Sequence, residues 1–277
     1  MITFLDLGFH GRMTNQIFQY AALRSVALYN GYEMKIPDVT GRVCWGQSNK
    51  LHNFNISCSI LTDEDVKSIR HYYEEPYANE FVYHESVFEI QDFTSIKGFF
   101  QHPKYFERYA SELRKECSLK AHIMEKSSAK ISEIKSRFPN RELVCLHVRR
   151  GDAIPLWDKI FPSVASLMEF IAAAKSYFPN AVFLVFSGGN KGEFTHPEAY
   201  EFCRKTFQGD EYVFIEHNEE VVDMGMMVLC DHYIVPFFTS FSLWPMFLNT
   251  SPTKKSIFKD GNYNNTVFPR YDGWIYL

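Results

Sequence analysis

The sequence predicts an α/β protein made of two doubly wound domains in tandem. Strand and helix patterns alternate along the 277 residues, a βαβ unit opens the chain, and a second, cleaner alternation follows residue 140. This length suits two domains of ordinary size. Pro139-Asn140-Arg141 is the best boundary candidate, which gives domains at residues 1–139 and 140–277. Two such domains predict a cleft between them, with ligands at the carboxyl ends of the strands.

The first domain begins with a predicted strand at residues 2–7, a glycine-bearing loop and a helix at residues 15–30. Gly31 is expected to close that helix, because glycine readily adopts the left-handed conformation of a C-cap. A short strand at residues 33–36 completes the βαβ unit. A further strand is predicted at residues 95–99, and helices at residues 103–116 and 123–138.

The second domain begins with an apolar run at residues 143–148 that is typical of a strand buried on both faces. The alternation after it predicts helices at residues 163–177, 197–207, 221–230 and 242–248, and strands at residues 182–186, 212–215 and 233–235.

Composition limits the function classes. Apolar residues make up 46% and charged residues 22%, which indicates a globular chain, and the net charge of -4 argues against a nucleic-acid partner. No signal peptide and no apolar run long enough to span a membrane is apparent. The six cysteines show no Cys-x-x-Cys spacing, so we expect them to be reduced and the protein to be cytoplasmic.

The strongest chemical signal is the run His147-Val148-Arg149-Arg150-Gly151-Asp152 at the end of the predicted strand. Arginine forks match phosphate oxygens, and Gly151 allows close approach of the backbone to a ligand. The alternative is a solvated loop with an Arg–Asp pair. An adhesion role for Arg150-Gly151-Asp152 is disfavoured because no secretion signal precedes it.

Weaker signals lie at three other strand ends. The loop at residues 8–16 carries two glycines before a helix N-terminus, where free amides favour anions or sugar oxygens, although a plain strand-to-helix turn would look the same. Ser187 and the run at residues 239–242 place small hydroxyls where a nucleotide would lie. Ser240 or Ser242 could equally be the N-cap of the last helix.

Asp63-Glu64-Asp65 is a D-x-D triplet of the kind that holds Mn²⁺ or Mg²⁺ in metal-dependent glycosyltransferases. It follows Thr62, a predicted N-cap, and therefore lies in the first turn of a helix, where acids suit the helix dipole. We favour the dipole interpretation and expect no metal site. The histidine spacing does not indicate zinc either.

Several ordered motifs resemble glycosyltransferase family 11, the α-1,2-fucosyltransferases. Residues 11–20 (GRMTNQIFQY) are similar to the family's opening GRLGNQMFQY, and residues 97–106 (KGFFQHPKYF) to its GYFQSxKYF segment. Residues 147–152 match its HxRRGD motif, residues 186–187 lie where the family has FSDD, and residues 223–249 resemble its closing segment. The likeness spans most of the chain.

The resemblance implies a GT-B fold with two Rossmann-like domains facing across a cleft, and the donor in the C-terminal one. It implies metal-independent, inverting transfer of L-fucose from GDP-fucose, with no cofactor, to the 2-hydroxyl of a glycan acceptor, a terminal β-galactoside by family expectation. Donor contacts are then expected at these residues: Asn15, Gln16, His147, Arg149, Arg150, Ser187, Ser240, Phe241 and Ser242.

In catalysis, Arg149 is expected to stabilise charge on the departing diphosphate. Asp152 is the candidate base, or else the residue that holds the arginine fork, and His10 is a weaker candidate base. A bacterial chain that builds polysaccharide at the inner face of the membrane would fit these features.

The chain departs from the family pattern at Thr14, Ala153, Gly188-Gly189 and Leu243. The two glycines replace two acids, which leaves the nucleotide contacts there open, and Ala153 replaces an aromatic residue, which suggests a different acceptor. The sequence is also compatible with two alternative functions: a catalytically degenerate nucleotide-sugar or glycan-binding module, and a metal-dependent transferase that uses Asp63 and Asp65.

Overall fold

The computed structural model describes residues 1–44, 47–76, 81–150, 162–188, 197–237, 239–260 and 273–277. The chain forms two compact units, Met1–Ser118 and Leu119–Leu277. Asp152, Ala153 and Gly189 lie outside the described residues, so their predicted roles stay predictions.

The helices of the described residues are, in chain order, α1 (Met13–Asn30), α2 (Asp63–Ser68), α3 (Ala110–Glu116), α4 (Ala121–Arg137), α5 (Val164–Lys175), α6 (Pro197–Thr206), α7 (Glu220–Val228) and α8 (Ser240–Leu248). Short 3₁₀ turns occur at Leu51–Asn53, Glu85–Glu89, Pro103–Tyr105 and Glu107–Tyr109.

The strands are β1 (Lys35–Ile36), β2 (Val43–Cys44), β3 (Gln47–Ser48), β4 (Ser59–Ile60), β5 (His71–Glu74), β6 (Thr94–Lys97), β7 (Glu142–Arg149), β8 (Ala181–Gly188), β9 (Tyr212–Phe214), β10 (His232–Val235), β11 (Ser256–Phe258) and β12 (Ile275–Tyr276).

The first unit has a small parallel core of strands. β1 pairs with β4, and β5 with β6, both in parallel. Ile2 bridges Met34 and Thr3 bridges Ser95, also in parallel, so the start of the chain lies between the two pairs. The strand predicted at residues 2–7 is limited to these two isolated bridges, because the amides of Leu7 and Phe9 donate to carbonyls three residues earlier and turn the chain.

Helix α1 confirms the helix predicted after the first loop. It is buried along most of its length, with Ile17, Phe18 and Leu23 fully shielded. It ends at Gly31, whose φ of 68° is the left-handed conformation expected of a glycine C-cap. This long buried helix fixes the loop that precedes it.

The second unit contains a six-stranded sheet in the order β12-β11-β10-β7-β8-β9, with every pairing parallel. From β7 the chain moves outward through β8 and β9, and then returns to the other side of β7 with β10. The order therefore reverses between β7 and β10, which is the position where open parallel sheets bind ligands. The predicted doubly wound unit is confirmed.

One face of this sheet is covered by helices α5 and α6, whose apolar residues pack with alternate residues of β7 and β8. Leu146 and Val185 are fully buried there. Because β7 is covered on both faces, residues 143–146 are all shielded from solvent, as the apolar run predicted.

Helix α4 belongs to the second unit. The hydroxyl of Ser127 on α4 donates to the carbonyl of Val222 on α7 at 3.0 Å. The division between the units therefore lies between Ser118 and Leu119, and not at the predicted position between residues 139 and 140. The Pro139-Asn140-Arg141 turn merely joins α4 to the sheet that it helps to cover.

Candidate active site

The carboxyl ends of β7 and β10 bring together residues that are far apart in the sequence. The two strands are parallel neighbours, so His147 near the end of β7 meets the segment that follows β10. Its ring nitrogen Nδ1 lies 2.6 Å from Ser242 Oγ and 3.3 Å from Thr239 Oγ1. The ring also lies beside Phe241, with centroids 5.6 Å apart.

Thr239 is the N-cap of α8. Its Oγ1 accepts a hydrogen bond from the Ser242 amide at 3.1 Å and lies 2.9 Å from Ser242 Oγ. The N-cap considered for Ser240 or Ser242 in the sequence thus belongs to Thr239. These contacts fix the N-terminus of α8 beside the end of β7.

His147 is a neutral imidazole in this setting. Its side chain is 5% exposed, and burial, assisted by the nearby Arg149 cation, lowers its pKa to about 3. The ring therefore positions neighbouring groups through Nδ1 at physiological pH and carries no positive charge.

Arg149 ends β7 and is held by backbone carbonyls. Its Nη1 donates to the carbonyl oxygens of Arg150 and Gly188, both at 2.8 Å. Gly188 pairs with Arg149 in the sheet and has a φ of 123°, a conformation that favours glycine. The Gly188 backbone carbonyl is therefore one of two carbonyl oxygens that hold the Arg149 guanidinium.

Arg150 is held differently, on the α6 side of the strand end. Its guanidinium lies 3.7 Å from the centre of the Phe202 ring, a close cation–π contact. Nearby, Ser187 Oγ donates to the Val148 carbonyl at 2.7 Å, and its amide donates to the Tyr200 hydroxyl at 3.2 Å. The two predicted phosphate-binding arginines thus have separate supports.

In the first unit, buried amides hold the loop that precedes α1. Gln16 is 1% exposed, and its Nε2 donates to the Gly11 carbonyl at 2.9 Å. Gln19 Nε2 donates to the carbonyls of His10 and Gly98, at 3.1 and 3.0 Å. The Gln16 amide nitrogen thus supports the loop, and its predicted contact with a ligand stays a prediction.

Asn15 and His10 are more accessible. Asn15 Oδ1 accepts a hydrogen bond from Gln101 Nε2 at 2.5 Å. The His10 side chain is 51% exposed, with Nε2 3.8 Å from Asp6 Oδ2. Both lie in the loop region before and at the start of α1, and their predicted roles toward donor and acceptor remain open to test.

The D-x-D triplet serves the local structure of α2. Asp65 forms a capping box with Thr62, which confirms the predicted N-cap, and its Oδ1 accepts from Lys35 Nζ at 2.8 Å. The Lys35 hydrogen bond is the main cause that lowers the pKa of Asp65 to about 2. Within the described ranges, no three His, Cys, Asp or Glu side chains are grouped as metal ligands.

Several supporting residues of the site were not predicted from the sequence. Thr239 had a usable signal, since Thr directly before a helical run is among the residues preferred at an N-cap. Gln19 and Gln101 lie inside the family-like motifs but were given no role. Tyr200 and Phe202 had no signal, because an aromatic residue on a helix is usually part of the core.

Comparison with known proteins decides the family. The model for glycosyl transferase family 11 matches residues 2–276, nearly the whole chain. The chain belongs to glycosyl transferase family 11. It is thereby a member of an enzyme family, as its ordered motifs predicted.

Curated proteins that are similar to this family 11 chain include fucosyltransferases. It is similar to galactoside alpha-(1,2)-fucosyltransferase 2 of Bos taurus (21% identical over 248 residues, 86% of this chain and 67% of the relative) and of Mus musculus (25% over 261, 86% and 66%). Galactoside alpha-(1,2)-fucosyltransferase 1 of Homo sapiens is 25% identical over 253 residues (86% and 64%). The chain spans about two thirds of the length of these relatives.

Solved structures confirm the fold class. The structure of POFUT1 in complex with GDP matches with a TM-score of 0.54 at 11% identity, over 93% of this chain and 97% of that one. The fucosyltransferase NodZ from Bradyrhizobium matches with a TM-score of 0.54 at 12% identity, over 89% and 93%. The family 11 chain thus has the α/β fold of GT-B type that the sequence predicted.

Proposed function

We propose that this chain transfers L-fucose from GDP-fucose to the 2-hydroxyl of a galactoside-containing glycan, with inversion and without a metal ion. Family membership and the names of the curated relatives support fucosyl transfer from GDP-fucose. Cytoplasmic location and association with the inner face of a membrane stay predictions. Within the described ranges, none of the helices combines the length and the apolar character that a membrane span requires.

The observation that carries the proposal is the position of Arg149. It ends β7 at the point where the strand order reverses, and His147 ties that strand end to the N-terminus of α8. A helix N-terminus and a guanidinium both favour an anion. We place the diphosphate of the donor here, with Arg150, Ser187, Ser240 and Phe241 as further candidate contacts.

The chemistry follows from where charge develops. As the bond between fucose and the β-phosphate breaks, negative charge accumulates on the leaving GDP. A guanidinium already held by the Arg150 and Gly188 carbonyls stabilises that charge without reorganising, so it favours the transition state over the ground state. Fixed cations thereby take the role that a metal ion has in other transferases.

Inversion requires the acceptor hydroxyl to attack from the face opposite the leaving group and to lose its proton. Asp152 is the proposed base, or else it holds the arginine fork, and His10 is the second candidate base. Loss of the base in Asp152→Asn or His10→Ala should lower kcat and leave the donor KM unchanged. Loss of a residue that holds the arginine fork should also raise the donor KM.

The alternative of a metal-dependent transferase gains no support from Asp63 and Asp65, since the Asp65 carboxylate is used by the capping box and by Lys35. Activity that disappears in EDTA and returns with Mn²⁺ would favour it. A degenerate binding module would bind GDP tightly and transfer no fucose to any β-galactoside.

The decisive variant is Arg149→Lys, which keeps the charge and loses the planar fork. Losing one charge-assisted hydrogen bond, worth about 1.5–3 kcal/mol, should lower kcat with GDP-fucose and a β-galactoside by about 10–150-fold. Arg204→Lys is the matched control, because Arg204 is half-exposed and pairs with Glu216 on the surface. Near-normal turnover of Arg149→Lys would contradict the assigned role.

A further inference from the structure

A buried carboxylate in the first unit, Glu75, lies outside the motifs at residues 11–20 and 97–106. Glu75 directly follows β5, is 5% exposed, and its Oε2 accepts from the amides of Phe99 and Phe100, both at 2.8 Å. β5 and β6 are parallel neighbours, so Glu75 meets the turn that follows β6. Burial raises the pKa of Glu75 to about 7, while the two amide donors oppose that rise.

The turn that Glu75 holds has an unusual backbone. Gly98 has a φ of 154° and Phe100 a φ of 52°, and a left-handed phenylalanine is a strained arrangement. A Cβ added at Gly98 would lie 2.5 Å from the Cβ of Glu75, so the turn lies directly against the carboxylate side chain. The two hydrogen bonds to Glu75 therefore offset the strain at this turn.

The same turn is linked to the loop before α1. The Gly98 carbonyl accepts from Gln19, which also binds the His10 carbonyl. Gln101, one residue after Phe100, donates from Nε2 to Asn15 Oδ1 at 2.5 Å. Because Oδ1 of Asn15 is the acceptor in this contact, its amide nitrogen Nδ2 lies on the other side of the carboxamide, against Gly11, where an added Cβ would lie 2.6 Å from it.

We propose that Glu75 is a positioning residue for fucosyl transfer: it fixes the turn at residues 98–100, and through Gln101 it sets the orientation of the Asn15 carboxamide, a predicted donor contact. This inference rests on the proposed function. It assigns Glu75 and Gln101 no contact with the substrate, since both act through Asn15.

A double-mutant cycle tests this route. Glu75→Ala leaves two amides without their acceptor, and Gln101→Ala frees the Asn15 carboxamide, so each should lower kcat/KM for GDP-fucose by about tenfold. If both act through Asn15, the double variant should also lose about tenfold, because the second change removes nothing further. Glu75→Gln keeps an oxygen acceptor and should restore activity to within about threefold of wild type.

Glu74→Ala is the matched control. Glu74 is the preceding residue, its side chain is 70% exposed, and it pairs with Lys97 at 3.0 Å, so its loss should leave kcat/KM within about twofold of wild type. A thermal shift with GDP, measured for every variant, reports donor binding separately from turnover.

Three results would overturn the inference: losses that multiply to about a hundredfold in the double variant, a Glu75→Ala enzyme as active as Glu74→Ala, or no recovery in Glu75→Gln. If Glu75→Ala does not fold, the cycle is run with Glu75→Asp, whose shorter side chain cannot reach both amides. Wild-type enzyme is assayed first. A wild-type enzyme that neither binds GDP nor transfers fucose would refute the proposed function. An active wild type in which the two losses multiply in the double variant would refute the role of Glu75 alone.

Discussion

At the scale of single residues, the buried imidazole of His147 makes stability depend on pH. Its folded-state pKa of about 3 lies below the ordinary value of 6.5, so its contribution is fully present above pH 6.5 and is lost as pH falls toward 3. In that window the loss should be about 1.4 kcal/mol per pH unit. The His147→Asn variant has no imidazole to titrate at that position. Its free energy of unfolding, measured by chemical denaturation, should therefore fall less than that of wild type between pH 7 and pH 5.

His52→Asn is the control for this measurement, because His52 is exposed on the surface of the first unit. It should follow the wild-type pH dependence. An acid-induced loss of stability that is equal in wild type and His147→Asn would show that His147 is not buried as a neutral ring.

How far single site residues could be predicted depends on where their partners lie. His147 and Ser242 were both placed at strand ends, and the parallel pairing of β7 with β10 brings them to 2.6 Å. The support of Arg150 by Phe202 was not predictable, because it depends on how α6 packs across the sheet. Glu75 carried no signal, since its partners are backbone amides formed by a turn 24 residues later.

At the scale of elements, the crossing of α4 and α7 depends on a glycine. A Cβ at Gly225 would lie 2.3 Å from Ser127 Oγ and 2.9 Å from Ser127 Cβ, so the helices are too close for a larger residue. Gly225→Ala should destabilise the protein by about 1–3 kcal/mol through overpacking, although alanine favours helix. The free energy of unfolding from chemical denaturation measures this.

Ser127→Gly in the same chain should recover part of the loss, because it removes the atoms that a Cβ at residue 225 would meet. Ser128→Ala, at an exposed position one residue along α4, should leave stability unchanged. A Gly225→Ala protein as stable as wild type would mean that the two helices do not approach this closely.

Helices and strands could be predicted where a long buried segment forms a continuous apolar run in the sequence. β7 and β8 are continuous apolar runs and were found within two residues of their ends. β5 was missed because its residues His71, Tyr72 and Glu74 are exposed and show no apolar alternation. The strand predicted at residues 2–7 was too long because Arg42, far along the chain, donates to the Leu5 and Leu7 carbonyls and holds that segment as a turn.

At the scale of the whole molecule, the sequence predicted the doubly wound sheet and the family, and it misplaced the boundary between the units. A turn such as Pro139-Asn140-Arg141 is a local signal, whereas a boundary depends on which elements bury one another. α4 precedes that turn and nevertheless packs on α7, so it belongs to the second unit. A structure with a bound ligand is required to assign the roles of Asp152 and of the acceptor-binding residues.

The most direct test of the account is a crystal structure of this protein with GDP. We expect the diphosphate at the carboxyl end of β7, beside the N-terminus of α8, with a β-phosphate oxygen about 3 Å from a guanidinium nitrogen of Arg149. A diphosphate bound elsewhere, away from Arg149 and Arg150, would contradict it.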